Sequence, residues 1–470
     1  MNNNRIFFSI FSTSLLALSV ATIGASLLSS NTYSDSLLEV YELATKNDHE
    51  YRANLANYNA DKEAINIGRS ALLPQIAGSA GYSETNADTS SSNTNFDGES
   101  DTDTKAYSVE LKQALINFNA LNKYRSGKLQ TNAAEIQLAA DQQSLIIRSA
   151  EAYFNVLRSI DQLRTSQAEE KALSTQLEQT RQRYEVGLIS INDVYEAQAA
   201  YDSTVASRLS AQVNVGTTLE SLTILTGKNH DSIAPLKNGF SAVYPSPNNK
   251  QEWIEAANKN NLSLQVDKIK ANISSYEAKA IKANRYPTLT GSISYGNSDS
   301  DRSGVSSVGA SSGDRSDDTD TTRFSLDLNI PIYTGGNLTA LQKQAAQKQI
   351  ASRETFLFSQ RKTIQETRSL FLTVSTDIAQ IKARKQAIVS NESALEATQA
   401  GYDAGTRDIV DVVNAQRNLF QAQRDYFNAL YNYIISTLNL KQVAGTLNVN
   451  DLEKLDQSLS ESENVVYQNF

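Results

Sequence analysis

The chain contains no cysteine, and that absence removes disulfides, thiolate metal sites, cysteine nucleophiles and a lipid on an N-terminal Cys. Only two histidines, His49 and His230, occur in 470 residues. Both lie among polar residues, so each reads as a solvated surface side chain without the convergent partners a metal needs. Neither a Gly-rich phosphate loop opening a helix nor a G-x-S-x-G elbow is present. An enzyme would have to be assembled from scattered carboxylates, so the sequence carries no catalytic, metal or cofactor assignment. Acids outnumber bases by 52 to 43, a formal charge of −9, which argues against nucleic acid as a partner. After Asp35 no uncharged apolar stretch of about 18 residues occurs, so a helical membrane span is excluded. The chain is then soluble or crosses a membrane as strands.

The first residues, MNNNRIFFSIFSTSLLALSVATIGASLLSS, set Arg5 ahead of a short apolar run, as in a secretory signal. Small residues at Thr32 and Ser34 place the cut before Asp35, with Ala25 as a second possibility and a retained anchor as the competing reading. An exported protein is expected.

What is present is a duplication. The stretch YEVGLISINDVYEAQ (184–198) returns in altered form as YDAGTRDIVDVVNAQ (402–416), and Pro74, Gly78 and Tyr82 answer to Pro287, Gly291 and Tyr295. One unit is used twice. The expected division is a signal at 1–34, a first repeat at 35–229, a linker at 230–250 marked by Pro235, Pro245 and Pro247, a second repeat at 251–445 and a tail at 446–470.

The six prolines give the coarse map, because proline breaks helices and is confined to the edges of sheets. Between Pro74 and Pro235, and again after Pro331, there is none. Those stretches are rich in Ala, Gln, Leu, Arg and Glu, with apolar residues three or four apart, as in Ile147, Ala150, Phe154, Leu157, Ile160 and Leu163. Runs of about 65 residues make helices of roughly 100 Å, which must pack side by side in water as coiled coils. Each is followed by a Gly-containing turn and a second helix, from about Asn192 to Leu225 and from about Ile409 to Val443. The unit is a long helical hairpin, made twice.

Before each hairpin the period changes from 3.6 to 2. Phe324, Leu326, Leu328 and Ile330 alternate with Arg323, Ser325, Asp327 and Asn329; Leu289, Gly291, Ile293 and Tyr295 alternate with polar residues in the segment before. The first repeat follows suit with Ile76, Gly78, Ala80 and Tyr82, then Tyr107, Val109 and Leu111. Strand pairs at about 75–115 and 288–332 are expected, with strands of about ten residues. Inside each pair the Ser, Thr, Asn, Asp and Gly runs at 85–104 and 297–321 read as surface loops. One, SGDRSDDTD (312–320), has acids for divalent ions or lipopolysaccharide but fits no calcium-loop spacing. Four amphipathic strands suit a lipid-facing barrel wall yet cannot close a barrel, which needs about eight, so several chains must contribute. A four-stranded sandwich on a stalk is the competing architecture.

Six motifs carry a family resemblance: SLLEVYELATKND, SALLPQIAGSAGYSET, AEAYFNVLRSIDQL, QLEQTRQRYEVGL, NIPIYTGG and AGYDAGTRDIVDVVNAQ. Over about Asp35 to Leu455 the chain resembles the TolC family of outer-membrane efflux proteins. The resemblance implies an α+β membrane protein, a homotrimer whose twelve strands form one barrel among outer-membrane lipid, continued by an α-helical tunnel through the periplasm. It implies a passive duct for drug efflux and type I protein secretion, recruited by inner-membrane RND, ABC or MFS transporters with a periplasmic adaptor protein. A periplasmic adaptor or stalk and an outer-membrane adhesin or receptor are the alternatives. By position in the matching motifs, Tyr402 and Arg407 would tie the periplasmic gate, with Asp193 and Asn192 as acceptors. Gln176 would join the same network, although Gln399 stands where its acidic partner is expected. Asp411 would line a cation-selective constriction, with Asn414 replacing a second acid one turn on. Gly187, Leu188, Gly405 and Thr406 form the hairpin tips that would meet the adaptor. Ser190-x-x-Asp193 and Asp408-x-x-Asp411 are equally helix-capping spacings.

Overall fold

The computed structural model describes residues 35–91, 96–237, 239–306, 314–460 and 465–466. The signal expected at 1–34 lies outside them, as do residues 92–95 and 307–313 of the expected loops.

Four helices set the scale. Two proline-free runs form α4 (Phe118–Glu185, 68 residues) and α8 (Asn337–Asp403, 67 residues), and each turns into a shorter partner, α5 (Ile191–Thr226) and α9 (Ile409–Val443). At 1.5 Å per residue the long members span roughly 100 Å. Gly127 does not interrupt α4; it lets the short helix α3 (Ala64–Ser70) cross closely, since a Cβ there would stand 2.4 Å from the Ala64 carbonyl oxygen. Helices α1 (Leu37–Asn47), α2 (His49–Asp61), α6 (Lys250–Asn260), α7 (Leu262–Ala283) and α10 (Val449–Asp456) pack on this frame. The main core lies around the middle of α4, where Tyr153, Phe154, Val156 and Leu157 meet Tyr431, Ile434 and Leu438 of α9, with Leu37, Trp253 and Leu452.

The strands are β1 (Gln75–Ser91), β2 (Phe96–Ile116), β4 (Thr288–Ser306) and β5 (Arg315–Asn329), in one antiparallel sheet of order β1-β2-β4-β5. They are 17, 21, 19 and 15 residues long, so the runs read as loops are mostly strand, including the described part of SGDRSDDTD. Cross-strand pairing overrode composition: Thr85 pairs with Thr102, Thr104 with Ser300, and Ser298 with Thr319, in unbroken register with the apolar part.

That register assembles the expected apolar face. Ile76, Leu111, Ile293 and Phe324 form one cross-strand row, and Gly78, Val109 and Tyr295 the next. Phe324 is 73% exposed and Ile76 72%, a solvent exposure that only lipid makes favourable at this density. Farther along the same face the rows turn acidic, with Glu84 beside Asp103 and Asp301, and Asp299 beside Asp318. Tyr82 donates to Asp103 at 2.8 Å and Tyr295 to Asp320 at 2.9 Å, so aromatic hydroxyls mark the boundary. The opposite face carries hydroxyl pairs, Ser79 with Ser108 and Ser292 with Ser325. Among the described residues β1 and β5 each leave one edge unpaired.

His49 is exposed as expected, but His230 is not: its side chain is fully buried. Its Nδ1 lies 2.7 Å from Asp35 Oδ2 and therefore donates, because a carboxylate can only accept; its Nε2 lies 2.7 Å from the Thr226 hydroxyl. Lys228 completes the cluster at 2.9 Å from Asp35 Oδ1, and the Asp35 amide donates to Ser232 in β3 (Ser232–Ile233), which pairs with β6 (Val465–Val466). Its polar neighbours in sequence gave no sign that residue 35 would come to meet it.

Burial pushes the Asp35 carboxyl up, but bonds and charge from His230 and Lys228 outweigh burial and hold it below the usual carboxylate range. A depressed carboxylate contributes fully above its unfolded pKa of about 4, and the contribution is lost as pH falls through the lower folded value. Thermal unfolding should therefore show an acid-induced loss below about pH 4 that Asp35→Asn reduces. His230→Leu should cost about 2 kcal/mol at neutral pH by leaving Asp35 Oδ2 without its buried donor, read as a fall in melting temperature.

Candidate functional site

Where the two hairpins end, the sequence builds two unlike turns. In the first, α4 stops at Glu185, Gly187 takes φ 77°, and Ser190 caps α5. The Asp193 carboxylate accepts from the Ser190 amide at 3.0 Å and the Ser190 hydroxyl from Asn192 N–H at 3.2 Å, so both residues serve the helix start. In the second, Gly405 takes φ 73°, the amides of Thr406 and Arg407 both donate to the Gly401 carbonyl, and Asp408 caps α9 by accepting from Asp411 N–H. A side chain on Gly401 would stand 2.8 Å from Arg407 Cγ, so this glycine makes room for the Arg407 stem.

Arg407 reaches Asp411 at 3.3 Å, one turn along α9, and Asn414 is exposed another turn on. Beneath the turns a small core joins the hairpins: Leu173 and Leu177 of α4, Ala197 and Ala200 of α5, Tyr402 of α8, and Ile409, Val412 and Val413 of α9. Tyr402 is only 5% exposed, yet its hydroxyl has no hydrogen-bond partner among the described residues. Gln176 Nε2 and Gln416 Oε1 are also buried and unpaired, and all three residues line one cavity of about 980 Å³ together with Gln399 and Asp403.

Two residues that sequence reasoning missed join the hairpins directly. Arg183, in the last turn of α4, lies 3.1 Å from Asp403, the last residue of α8, and its guanidinium stands 4.5 Å from the Tyr402 ring centre. The available signal was the opposite charge beside the repeated tyrosines, Arg183-Tyr184 against Tyr402-Asp403. Of the expected gate residues, the structure brings Gln176 and Tyr402 into one cavity and holds Arg407 to Asp411. Asp193 and Asn192 stay with their own helix start. At the first tip Val186 and Leu188 are exposed at 70% and 69%, whereas Gly405 and Thr406 form a polar second tip.

An open sheet with a lipid-facing belt, set on hairpins that converge on a shared apolar core beside a polar-lined cavity, defines an efflux channel of the outer membrane. The chain belongs to the outer membrane efflux protein family, whose model matches residues 40–228 and 253–446, once per repeat. It is 36% identical over 446 residues to outer membrane protein TolC of Escherichia coli K12, covering 93% of this chain and 88% of that one. It is 26% identical over 431 residues to the alkaline protease secretion protein AprF of Pseudomonas aeruginosa, covering 91% and 88%. Among solved structures, the Campylobacter jejuni CmeC outer membrane channel superposes with a TM-score of 0.72 at 17% identity, over 96% of this chain and 98% of that one. Such a channel is a transport protein and not an enzyme.

Proposed function

We propose that three copies close a single twelve-stranded barrel and a helical tunnel beneath it, gated where the hairpins end. The observation that carries this is the four-stranded sheet whose outer strands β1 and β5 each lack a neighbour among the described residues, since an unpaired edge in lipid leaves its backbone polar groups unsatisfied. A neighbouring copy's β1 satisfies β5, and closure follows by symmetry.

On this reading Tyr402 and Arg407 hold the closed state by reaching Asp193 and Asn192 of an adjacent copy. The unpartnered Tyr402 hydroxyl supports this, because a buried hydroxyl without a bond costs about 1–3 kcal/mol and a second chain can supply the acceptor. Gln176 adds a donor to the same cavity, where Gln399 stands in place of an acid. The apolar first tip, Val186-Gly187-Leu188, with the polar turn Gly405-Thr406, offers the docking end for a periplasmic adaptor and its RND, ABC or MFS transporter. Docking there opens a duct that itself adds no chemistry. The relatives' names include both efflux and protease secretion, and we assign both kinds of cargo to this channel.

Asp411, repeated in three copies about the axis, forms the cation filter, with Asn414 leaving one acid per copy where two are expected. Asp411→Ala should pull the reversal potential of the reconstituted channel in a salt gradient most of the way toward zero. An undiminished cation preference would place the filter elsewhere, and failure of the purified protein to run as a heat-labile trimer would overturn the assembly.

A further inference from the structure

We infer that Arg183 and Asp403 form an additional latch of the gate, one that ties the first hairpin to the second inside each protomer. It rests on the gate reading above, but it is a different bond, made within a chain and not between chains.

The pair joins the two hairpins across 220 residues of sequence. Its placement has a local cost that only a partner relieves. Asp403 ends α8, where the helix dipole is negative and a carboxylate is disfavoured, whereas Arg183 in the last turn of α4 is placed favourably. The Arg183 guanidinium binds Asp403 through Nη1 and stands over the Tyr402 ring, 4.5 Å from its centre, so it touches two successive residues of the second hairpin. Gln399, one turn back on α8, also donates to Asp403, at 3.5 Å.

The pair is not a by-product of the duplication. Aligning Tyr184 with Tyr402 sets Arg183 against Gly401 and Asp403 against Glu185, so the cation is present in one copy only and the bond runs from one repeat to the other. Arg183 also lies three residues from exposed Val186 and five from exposed Leu188. A partner pressing on that apolar tip therefore acts on the arginine that holds the second hairpin.

In planar bilayers Arg183→Ser and Asp403→Ser should each raise the open-to-closed ratio roughly tenfold, the sum over three copies of a half-exposed ion pair. The double variant should be no more open than either single variant, because one bond has been removed twice. Additive effects, or single variants that conduct like the parent, would overturn the latch. A second measurement uses the cysteine-free background: Arg183→Cys with Asp403→Cys, joined by a short bifunctional methanethiosulfonate. The joined chain should run as a monomer on a denaturing gel and hold the channel shut until reductant is added. Joined dimers and trimers, or a joined channel as open as the reduced one, would also overturn it. If these variants respond while Tyr402→Phe with Arg407→Ser does not, the ties between protomers fail and this latch stands; the reverse pattern removes this latch alone.

Discussion

Tyr402→Phe combined with Arg407→Ser should raise the single-channel conductance of the purified protein severalfold, with little change in its melting temperature. The two effects separate because neither substitution removes packed apolar surface. Phe keeps the ring that packs with Leu173, Leu177, Ile409 and Val412 and the face on which Arg183 stacks, while only the unpartnered hydroxyl is removed. Ser removes the guanidinium from a turn whose backbone is already held by the Gly401 carbonyl. In the proposed three-copy gate each lost tie is worth about 1 kcal/mol, and two ties in three copies sum to about 6 kcal/mol, enough to carry a mostly closed equilibrium to a mostly open one. Losing Arg407 also uncovers the Asp411 carboxylate, its partner at 3.3 Å, so the opened channel should be more cation-selective than the parent. An unchanged conductance would remove Tyr402 and Arg407 from the gate.

The second large effect is structural. Gly445→Ala should lower stability by about 4 kcal/mol, read as a fall in trimer melting temperature and in yield from the membrane. Gly445 follows the end of α9 with φ 69°, and the amides of Thr446 and Leu447 both close back on the Lys441 carbonyl. This is the left-handed stop that only glycine adopts freely. Space is the larger obstacle: a Cβ would stand 2.2 Å from the Asn260 oxygen, 2.4 Å from its carbon and 2.8 Å from the Asn261 nitrogen. All three are backbone atoms at the junction of α6 and α7, so no side chain can rotate away. Asn261 also donates to the Val443 carbonyl at 2.8 Å, so relief by movement would break that bond. Gly187→Ala is the control, with a similar φ of 77° and open space around it, and should cost only about 1 kcal/mol.

Much of the architecture was legible because it is written in periods. The absence of proline between Pro74 and Pro235 and the three-and-four spacing through Ile147 to Leu163 state a helix too long to break, and α4 is that helix. The alternation through Phe324, Leu326 and Leu328 states a two-faced strand, and the sheet aligns it with Ile76 and Leu111. Composition misled where pairing decides: Ser, Thr and Asp runs resemble loops until a neighbouring strand fixes their register. The site was legible as far as motifs reach, which brought Tyr402, Arg407 and Asp411 into view. It was faint where two repeats meet, because the opposite charges beside Tyr184 and Tyr402 do not by themselves say that Arg183 and Asp403 touch. His230 failed for the same reason, its polar neighbours hiding a burial that depends on Asp35, 195 residues away.

The long strands have a consequence for how the protein rides in its membrane. Only about ten residues of a tilted strand are needed to cross the hydrocarbon layer, yet β2 has 21. The surplus turns from Tyr82, Tyr107 and Tyr295 to Glu84, Asp103 and Asp301 within a few residues on the same outward face. Sinking the barrel by two residues would drag that row of carboxylates into the oil, once in every copy. Raising it by two would lift Ala80 and Tyr107, at the top of the apolar belt, toward water. The tyrosines therefore act as a draught mark: the depth of immersion is fixed to within one or two strand residues, and the acidic rim above it stands clear of the lipid at constant height.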